Sequence, residues 1–155
     1  IGDLESAFYC AYGYILLGNA AGIALPVIKQ DIVDFQRQMF VYHQDHTYKM
    51  CLPHLQFALK MIDNHSKSPI LSGEVMEFDE LMGHLIETNH VHLMDATRCM
   101  QMQLAFYFDD LALAWKMCTD SKNTDKSCLG QSIVWRRMFF VGLTSFALAR
   151  KAASS

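Results

Sequence analysis

Apolar residues recur at every third or fourth position along most of the chain, which is the spacing that places side chains on one face of an α-helix. Alternating runs rich in Val, Ile and Thr, the pattern of a half-buried strand, do not occur in the sequence. The pattern therefore predicts an all-α protein of about seven helices packed antiparallel to their neighbours. The predicted helices span residues 4–17, 26–42, 45–62, 78–88, 90–108, 111–119 and 132–151.

Glycine, proline and polar residues mark the expected boundaries. Gly18, which an asparagine follows, is expected to end the first helix, because both residue types adopt the left-handed conformation that closes a helix. Pro26 is expected to begin the second helix, since the first turn does not use the N–H that proline lacks. Pro53 is expected either to kink the third helix, which we prefer, or to mark its true start. The polar segments 63–77 and 120–131 are predicted to be loops.

The apolar stripe of each helix predicts the side that packs inward. Aromatic residues at helical spacing usually pack in a core, so those of the end helices are assigned there, and Arg136-Arg137 to a solvated face. The expected inward residues are Phe8, Tyr12, Ile15 and Leu16 in the first helix, Ile28, Ile32, Phe35 and Met39 in the second, Leu52, Leu55, Leu59 and Ile62 in the third, and Trp135, Phe139, Leu143, Phe146 and Ala147 in the last.

Composition narrows the class of protein. Hydrophobic residues make up 52% of the chain and charged residues 19%, against roughly 45–50% and about 25% in ordinary domains, which excludes disorder. The excess of apolar residues implies a surface that meets lipid or further protein. The 16 acidic and 13 basic residues leave a net charge of −3, which argues against a nucleic-acid partner because phosphate binding needs clustered Lys and Arg.

The length of 155 residues suits one domain. The chain begins with isoleucine and carries no basic segment before an apolar run, so no signal peptide is predicted. We therefore expect residues 1–155 to be a single all-helical domain or a segment of a longer helical-repeat array.

A membrane span is the main competing interpretation. The 22 residues from Ala7 to Ile28 carry no charge, which satisfies the length of a spanning helix. Gly18 in the middle of this run and Pro26 near its end favour two buried helices joined by a corner. No cluster of Lys or Arg flanks the run to set an orientation. A protein without membrane contact is favoured, and a small membrane-associated subunit anchored by residues 7–28 is the alternative.

The remaining candidates concern metals, thiols and catalysis. Five cysteines without C-x-x-C spacing indicate buried free thiols in a reducing compartment, which predicts a cytoplasmic protein. A di-iron bundle needs two Glu-x-x-His units, and the sequence has one, formed by Glu87 and His90. One unit does not make a site, and a metal-binding bundle that uses these two residues is kept as the second alternative. Phosphate-binding and nucleophile-elbow motifs do not occur. No catalytic residue, metal or cofactor is predicted, and the chain is not expected to be an enzyme on its own.

The segment from Met102 to Trp115 resembles the centre of a tetratricopeptide unit. In such a unit an aromatic residue ends the first helix, an acidic corner follows, and a bulky residue and an alanine open the second helix. Asp110 occupies the acidic corner, and Leu111 and Ala114 occupy the two helix positions. Asp109 stands where the repeat usually has glycine, and aspartate enters the left-handed region more readily than most residues. The resemblance implies an array of tetratricopeptide-like helical hairpins.

A longer series of motifs keeps a common order along the chain. Its members are the first corner at Gly18, Ser68–Glu74, Phe78–Met82, Asn89, the corner at Asp109-Asp110, Phe139-Phe140 and Ser145–Ala149. This order is similar to the helical region that follows the predicted ATPase module in very large signalling proteins. Those proteins combine a serine/threonine-kinase-like domain, a nucleoside-triphosphatase module, helical repeats, a GAF sensor and a histidine kinase. The resemblance covers roughly residues 4–150.

In that family the region is not catalytic. The resemblance implies a scaffold for protein–protein interaction and interdomain regulation in a signal-transduction ATPase or kinase. Its partners are expected to be other proteins or flanking domains of the same polypeptide. Self-association is predicted at the end helices, because the outer surfaces of a helical array expect neighbours. The aromatic residues assigned either to the core or to a partner are Phe8, Tyr12, Trp115 and Trp135.

Overall fold

The computed structural model describes residues 3–63, 68–121, 124–128 and 130–154. Within these ranges the chain forms eight α-helices and no strand, which confirms the predicted all-α fold. The helices are α1 Leu4–Ala21, α2 Leu25–Val41, α3 Asp45–Ile62, α4 Phe78–Glu87, α5 Val91–Tyr107, α6 Leu111–Asp120, α7 Thr124–Ser127 and α8 Ser132–Ala153. The short α7 lies inside the segment predicted to be a loop.

The end of α1 corrects the sequence prediction. The helix continues through Gly18, which is therefore not a corner, and it closes at Gly22, whose φ of +77° is left-handed. A Cβ on Gly18 would lie 3.2 Å from the Cδ1 atoms of Ile23 and Ile28. Gly18 thus provides a close approach for the following segment, whereas Gly22 provides the backbone conformation that ends the helix.

Four helix ends share one type of corner. In each, the N–H of the residue directly after the one at positive φ bonds to the carbonyl five residues earlier, which is the closure of a Schellman motif. These bonds join Ile23 to Gly18 (3.0 Å), Gln44 to Met39 (2.8 Å), His90 to Leu85 (2.9 Å) and Asp110 to Ala105 (2.9 Å). At these four corners the residues at positive φ are Gly22, His43, Asn89 and Asp109. The same local chemistry therefore ends α1, α2, α4 and α5.

The turn between α5 and α6 lies at Asp109-Asp110. Asp109 has a φ of +59°, and Asp110 precedes α6, where its Oδ1 accepts a hydrogen bond from the Leu113 N–H at 3.0 Å. Leu111 and Ala114 are both buried. The two aspartates thus end one helix and cap the next.

The described residues form two compact units. The first contains α1, α2, α3 and residues 73–76, and each of its three helices packs against the other two. The predicted inward face of α1 is confirmed, and so is that of α2 except for the half-buried Phe35. The buried apolar residues of these helices are Phe8, Tyr12, Ile15, Leu16, Ile28, Ile32, Met39, Met50, Cys51, Leu55, Phe57 and Ala58.

The inward face of α3 differs from the prediction. Of Leu52, Leu55, Leu59 and Ile62, only Leu55 is buried. Because α1 and α2 both pack against α3, its buried arc is broad and includes polar side chains. The helix begins and ends where predicted, with Pro53 inside it.

The second unit contains α4 to α8 and residues 68–72. Its central helix is α5, which packs against α4, α6, α7 and α8. Buried side chains therefore occur on nearly all sides of α5, including Asp95, Gln101 and Gln103. Gln101 holds the segment before α4, because its Nε2 donates to the Pro69 carbonyl at 2.6 Å and its Oε1 accepts from the Leu71 N–H at 2.7 Å.

The predicted inward face of α8 is wrong. Trp135, Phe139 and Phe146 are exposed, and the other two predicted residues, Leu143 and Ala147, are half-buried. The residues that α8 buries are Ile133, Phe140 and Thr144. Arg136 and Arg137 are half-buried, so the prediction of a solvated arginine face is wrong as well.

Candidate functional site

The most exposed apolar surface of the second unit runs along α8. Trp135, Phe139 and Phe146 are 72%, 62% and 70% exposed, and Met138 is 58% exposed. Met138, Phe139 and Phe146 follow Trp135 by 3, 4 and 11 residues, which places all four on one side of the helix, over about 16 Å of its length at 1.5 Å per residue. We call this side the α8 outer face, and it consists of Trp135, Met138, Phe139, Gly142, Ser145, Phe146 and Ala149.

Two arginines determine which side of α8 points outward. Arg137 donates from Nη2 to the Cys118 carbonyl at 2.9 Å and from Nε to the Ser121 Oγ at 3.1 Å. Those acceptors lie at the C-terminal end of α6, where unpaired carbonyls and the helix dipole attract a cation. Arg136 donates from Nη2 to the Oε1 of the buried Gln103 at 2.5 Å. With both arginines directed into the unit, the opposite side of the helix faces solvent.

An aromatic cluster holds the inner side of α8. The Phe140 ring lies edge-on to Phe106 and Tyr107, with centroid distances of 5.6 and 5.5 Å. Met102, Met117 and Cys118 complete this core cluster around Phe140. Phe139 contacts Phe140 at 5.4 Å but stays exposed. The two adjacent phenylalanines therefore have opposite environments.

The charge of α8 is all of one sign. The helix contains Arg136, Arg137, Arg150 and Lys151 and no acidic residue. Burial lowers the pKa of Arg136 below its ordinary value. Lys151 forms an ion pair with Asp109 at 3.1 Å. Positive charge thus flanks an outer face that is itself uncharged.

By length and composition α8 could cross a membrane, with a mean hydropathy of 1.2 and 17% of its most apolar window buried. Among the described residues it alone meets this criterion. The uncharged run from Ala7 to Ile28 is instead divided between α1 and α2. The candidate for lipid contact therefore lies at a different helix from the one predicted.

The four aromatic residues predicted for either core or contact separate into two pairs. Phe8 and Tyr12 are buried in the core of the first unit, and the Tyr12 ring lies edge-on to His54 at 5.7 Å. Trp115 and Trp135 are exposed on α6 and α8. Only the second pair is placed where a partner could reach it.

The predicted metal ligands are not part of a cluster. Glu87 is the last residue of α4 and His90 precedes α5, and both are exposed. In the ranges that the structure describes, no group of three or more His, Cys, Asp or Glu side chains is arranged to hold a metal ion.

The cysteines are free thiols, and all except Cys10 are buried. Burial raises the pKa of Cys51 and of Cys99 from 9.0 to about 12, so both remain protonated at neutral pH. The Cys118 thiol contacts the Met102 sulfur at 3.2 Å. A protonated thiol is a poor nucleophile, which favours a packing role for these residues.

A shallow pocket in the first unit offers little room for a ligand. Its volume is about 130 Å³, and Gln56, Lys60 and Glu74 contribute to its wall. Small-molecule sites usually enclose roughly 300–1,000 Å³. Gln56 is already engaged, because its Oε1 accepts a hydrogen bond from the Val75 N–H at 3.1 Å. The pocket is therefore a weaker candidate than the α8 outer face.

Sequence reasoning missed the outward position of Phe139 and Phe146 and did not single out Met138. The signal that could have found them is the composition of α8, in which large apolar residues occur on all sides while the cations include an adjacent pair. When a helix has more apolar residues than one face can hold, some must be exposed. The hydrogen bonds of Arg136 and Arg137 then fix which of these apolar residues are exposed.

The chain matches no protein-family model, no curated protein and no solved structure at significant similarity.

Proposed function

We propose that this chain is a non-catalytic helical scaffold that binds protein surfaces through the α8 outer face. The observation that carries the proposal is the exposure of three aromatic residues and Met138 on one side of a single helix. Contiguous apolar patches of more than a few hundred Å² are uncommon on monomers and mark interaction sites. Aromatic residues and methionine are also enriched at protein interfaces.

The role of such a scaffold is interdomain regulation in a signal-transduction ATPase or kinase, as the resemblance of the sequence implies. The shared corner at four helix ends supports a tetratricopeptide-like array, because repeated helical hairpins need a repeated turn. The partners are then flanking domains of the same polypeptide or separate proteins, in the cytoplasm.

Site-specific photo-crosslinking tests the proposed function. Benzoylphenylalanine replaces Phe139 in the parent protein in its own cells, and Lys116, an exposed polar position of α6, receives the same residue as the control. We expect reproducible protein adducts from position 139, identified by peptide mass spectrometry, and none from position 116. Adducts no more frequent at 139 than at 116 would contradict the proposal.

The parent gene provides a separate test of the signalling context. A phosphate-binding loop encoded upstream of Ile1 is the expected result. A short reading frame that holds this chain alone would contradict the ATPase or kinase context while leaving the interaction face untouched.

Membrane association is a second candidate, which the length and exposure of α8 favour. The helix combines exposed Trp and Phe with basic residues, as helices that lie at a membrane surface do. In the crosslinking experiment this alternative predicts adducts to lipid from position 139. Co-sedimentation with vesicles containing phosphatidylserine checks it independently.

A further inference from the structure

We propose that the protein surface bound by the α8 outer face is that of a second copy of this chain, with the two α8 helices antiparallel and crossing at Gly142. The inference rests on the proposed function, since it names the partner of the same face. A two-fold symmetric pair uses one patch twice, so the patch must be complementary to itself. The α8 outer face satisfies this condition.

The sizes of the side chains on this face match in the antiparallel register. When the two-fold axis passes through Gly142, each residue faces the one equally far on the other side of it. Trp135 then faces Ala149, and Phe139 faces Ser145, so that a large side chain meets a small one in both pairs. Met138 faces Phe146, and a methionine next to an aromatic ring is a favourable contact. Two of the three kinds of pair thus match a large side chain with a small one, and the third joins a methionine to a phenylalanine.

Gly142 has no packing role within its own unit, and the pairing would give it one. A Cβ on Gly142 would have no atom within 4 Å, so internal packing does not require glycine there. Glycine inside a helix is destabilising relative to alanine. Between two helices it permits the backbones to approach closely at the crossing point. A glycine at the centre of an exposed aromatic face therefore points to a second helix.

A parallel arrangement fits the same face poorly. It would place each large side chain against its own copy, with Trp135 facing Trp135 and Phe139 facing Phe139. It would also align the two helix dipoles in the same direction. The antiparallel pair sets the dipoles in opposition and brings Arg150 of one copy beside Trp135 of the other, where a guanidinium can lie over the indole ring.

The basic residues of α8 do not oppose the pairing strongly. Arg136 and Arg137 donate hydrogen bonds into their own unit, and Lys151 is paired with Asp109. The centre of the face, from Met138 to Phe146, is uncharged. Repulsion is therefore confined to the ends of the contact, where solvent screens it.

The size of the face sets the expected affinity. The three exposed aromatic residues contribute roughly 400 Å² per copy, given about 150–250 Å² for each fully buried ring. A standard interface buries about 800 Å² per partner. The contact is thus about half the standard size, and we expect a weak dimer with a dissociation constant in the micromolar range.

Analytical ultracentrifugation of the full chain over about 1–200 μM tests the pairing, with a range chosen to bracket that expected constant. The wild-type chain is expected to shift from monomer to dimer. Phe146→Glu is expected to raise the dissociation constant at least about tenfold, because a carboxylate would be buried opposite Met138. The matched control is Ile86→Glu on α4, in the same unit and 61% exposed, which should leave the constant unchanged.

Cysteine crosslinking tests the register. In a Cys10→Ser background, which removes the exposed thiol, Gly142→Cys is expected to form a disulfide-linked dimer on oxidation. Ala149→Cys is expected to stay monomeric, since it lies seven residues from the axis and about 21 Å from its counterpart. Crosslinking of both variants would indicate a parallel pair and would overturn the register.

The outcomes separate this inference from the proposed function. A monomer at every concentration, or a dimer that Phe146→Glu leaves intact, overturns the second copy as the partner. If position 139 still crosslinks another protein, the proposed function stands alone. If the chain is monomeric and Phe146→Glu abolishes binding to phosphatidylserine vesicles, the face binds lipid and both proposals fail. Thermal unfolding of each variant by circular dichroism distinguishes loss of the contact from loss of the fold.

Discussion

The helices α1 and α8, the first and last of the chain, differ in how many of their apolar side chains are buried. α1 packs against two helices of its unit and buries Phe8, Tyr12, Ile15 and Leu16 between them. α8 is longer, yet it buries only Ile133, Phe140 and Thr144 and leaves most of its aromatic side chains in solvent. One helix is positioned by a broad apolar stripe, whereas the other is positioned by a narrow buried face together with hydrogen bonds from two arginines.

The comparison shows that the burial of an apolar residue depends on its neighbours as much as on its spacing. In α1 the apolar stripe and the packing partners coincide. In α8 the acceptors at the end of α6 attract Arg137, and Gln103 attracts Arg136, so the helix is rotated relative to its most aromatic side. A hydrogen bond to a charged donor is worth about 1.5–3 kcal/mol, comparable to burying one large apolar side chain.

The adjacent phenylalanines of α8 give the largest expected effect. Phe140→Ala should lower the free energy of unfolding of the second unit by about 3–5 kcal/mol, because it removes a buried ring and leaves a cavity. Phe139→Ala should change it by less than about 0.5 kcal/mol. Urea unfolding, at a protein concentration low enough for the chain to be monomeric, measures the change in both variants. Equal losses would contradict the orientation of α8.

The adjacent leucines of α1 provide the matching test in the first unit. Leu16 is buried and Leu17 is 62% exposed. Leu16→Ala is expected to cost about 2–5 kcal/mol, since the buried methyl groups leave a void. Leu17→Ala is expected to cost less than about 0.5 kcal/mol. Urea denaturation followed by circular dichroism checks the pair, and a larger loss for Leu17 would place the wrong side of α1 in the core.

The arginine that positions α8 is expected to have an intermediate effect. Arg137→Met keeps much of the apolar stem but removes the donors to Cys118 and Ser121, and should cost about 1.5–3 kcal/mol. Arg150→Met is the control at an exposed position of the same helix, with an expected change within about 0.5 kcal/mol. Similar values for both variants would mean that Arg137 does not set the rotation of α8.

Substitutions at the corners after α1 and α2 should have smaller effects on the free energy of unfolding, and the two effects should have opposite signs. Gly22→Ala should destabilise the first unit by about 1 kcal/mol, because a Cβ is unfavourable at a φ of +77°. His43→Gly at the equivalent corner after α2 should stabilise the same unit by about 0.5 kcal/mol, after the entropy cost of glycine. Thermal melts of the two variants should shift in opposite directions, and a shift in the same direction would argue against a shared corner geometry.

Thiol accessibility gives a prediction that does not alter stability at neutral pH. Iodoacetamide at pH about 8 should alkylate Cys10 on the outside of α1 and spare the four buried thiols until the chain is unfolded, since buried thiols stay protonated. Mass spectrometry counts the adducts. Labelling of Cys51 in the native protein would contradict the burial of this thiol between α3 and its neighbouring helices.

The same thiols set the response to alkaline pH. The pKa of Cys51 and of Cys99 is raised from 9.0 to about 12 in the folded protein. Their protonated forms are thus favoured by folding, and stability should fall as the pH rises from 9 towards 12.

Helix bounds followed largely from local chemistry. The start of α3 at Asp45, the corner at Asp109-Asp110 and the start of α6 depend on residues within a few positions of each boundary. Local preferences of this kind are legible in a sequence. The exception was Gly18, because a second glycine, Gly22, lies four residues later and also suits a helix end. Gly18 packs closely against Ile28 inside the helix, and Gly22 ends it.

The candidate site could be predicted only in part. Trp135 was among the residues assigned to either core or contact, and it is exposed, but its neighbours Phe139 and Phe146 were expected to face inward. Their orientation depends on acceptors in α5 and α6, which lie 15 or more residues away in the chain. No local pattern carries that information.

The sequence by itself determined that the chain is helical, where most of its helices begin and end, and which face of α1 is buried. These properties arise from backbone preferences, capping residues and apolar spacing, all of which act over a few residues. The tertiary structure decided which side of α8 faces solvent. The exposed side of α8 depends on which groups lie beside the helix, either apolar side chains or helix-end carbonyls that have no hydrogen-bond partner. The positions of those groups are fixed only when the other helices pack together.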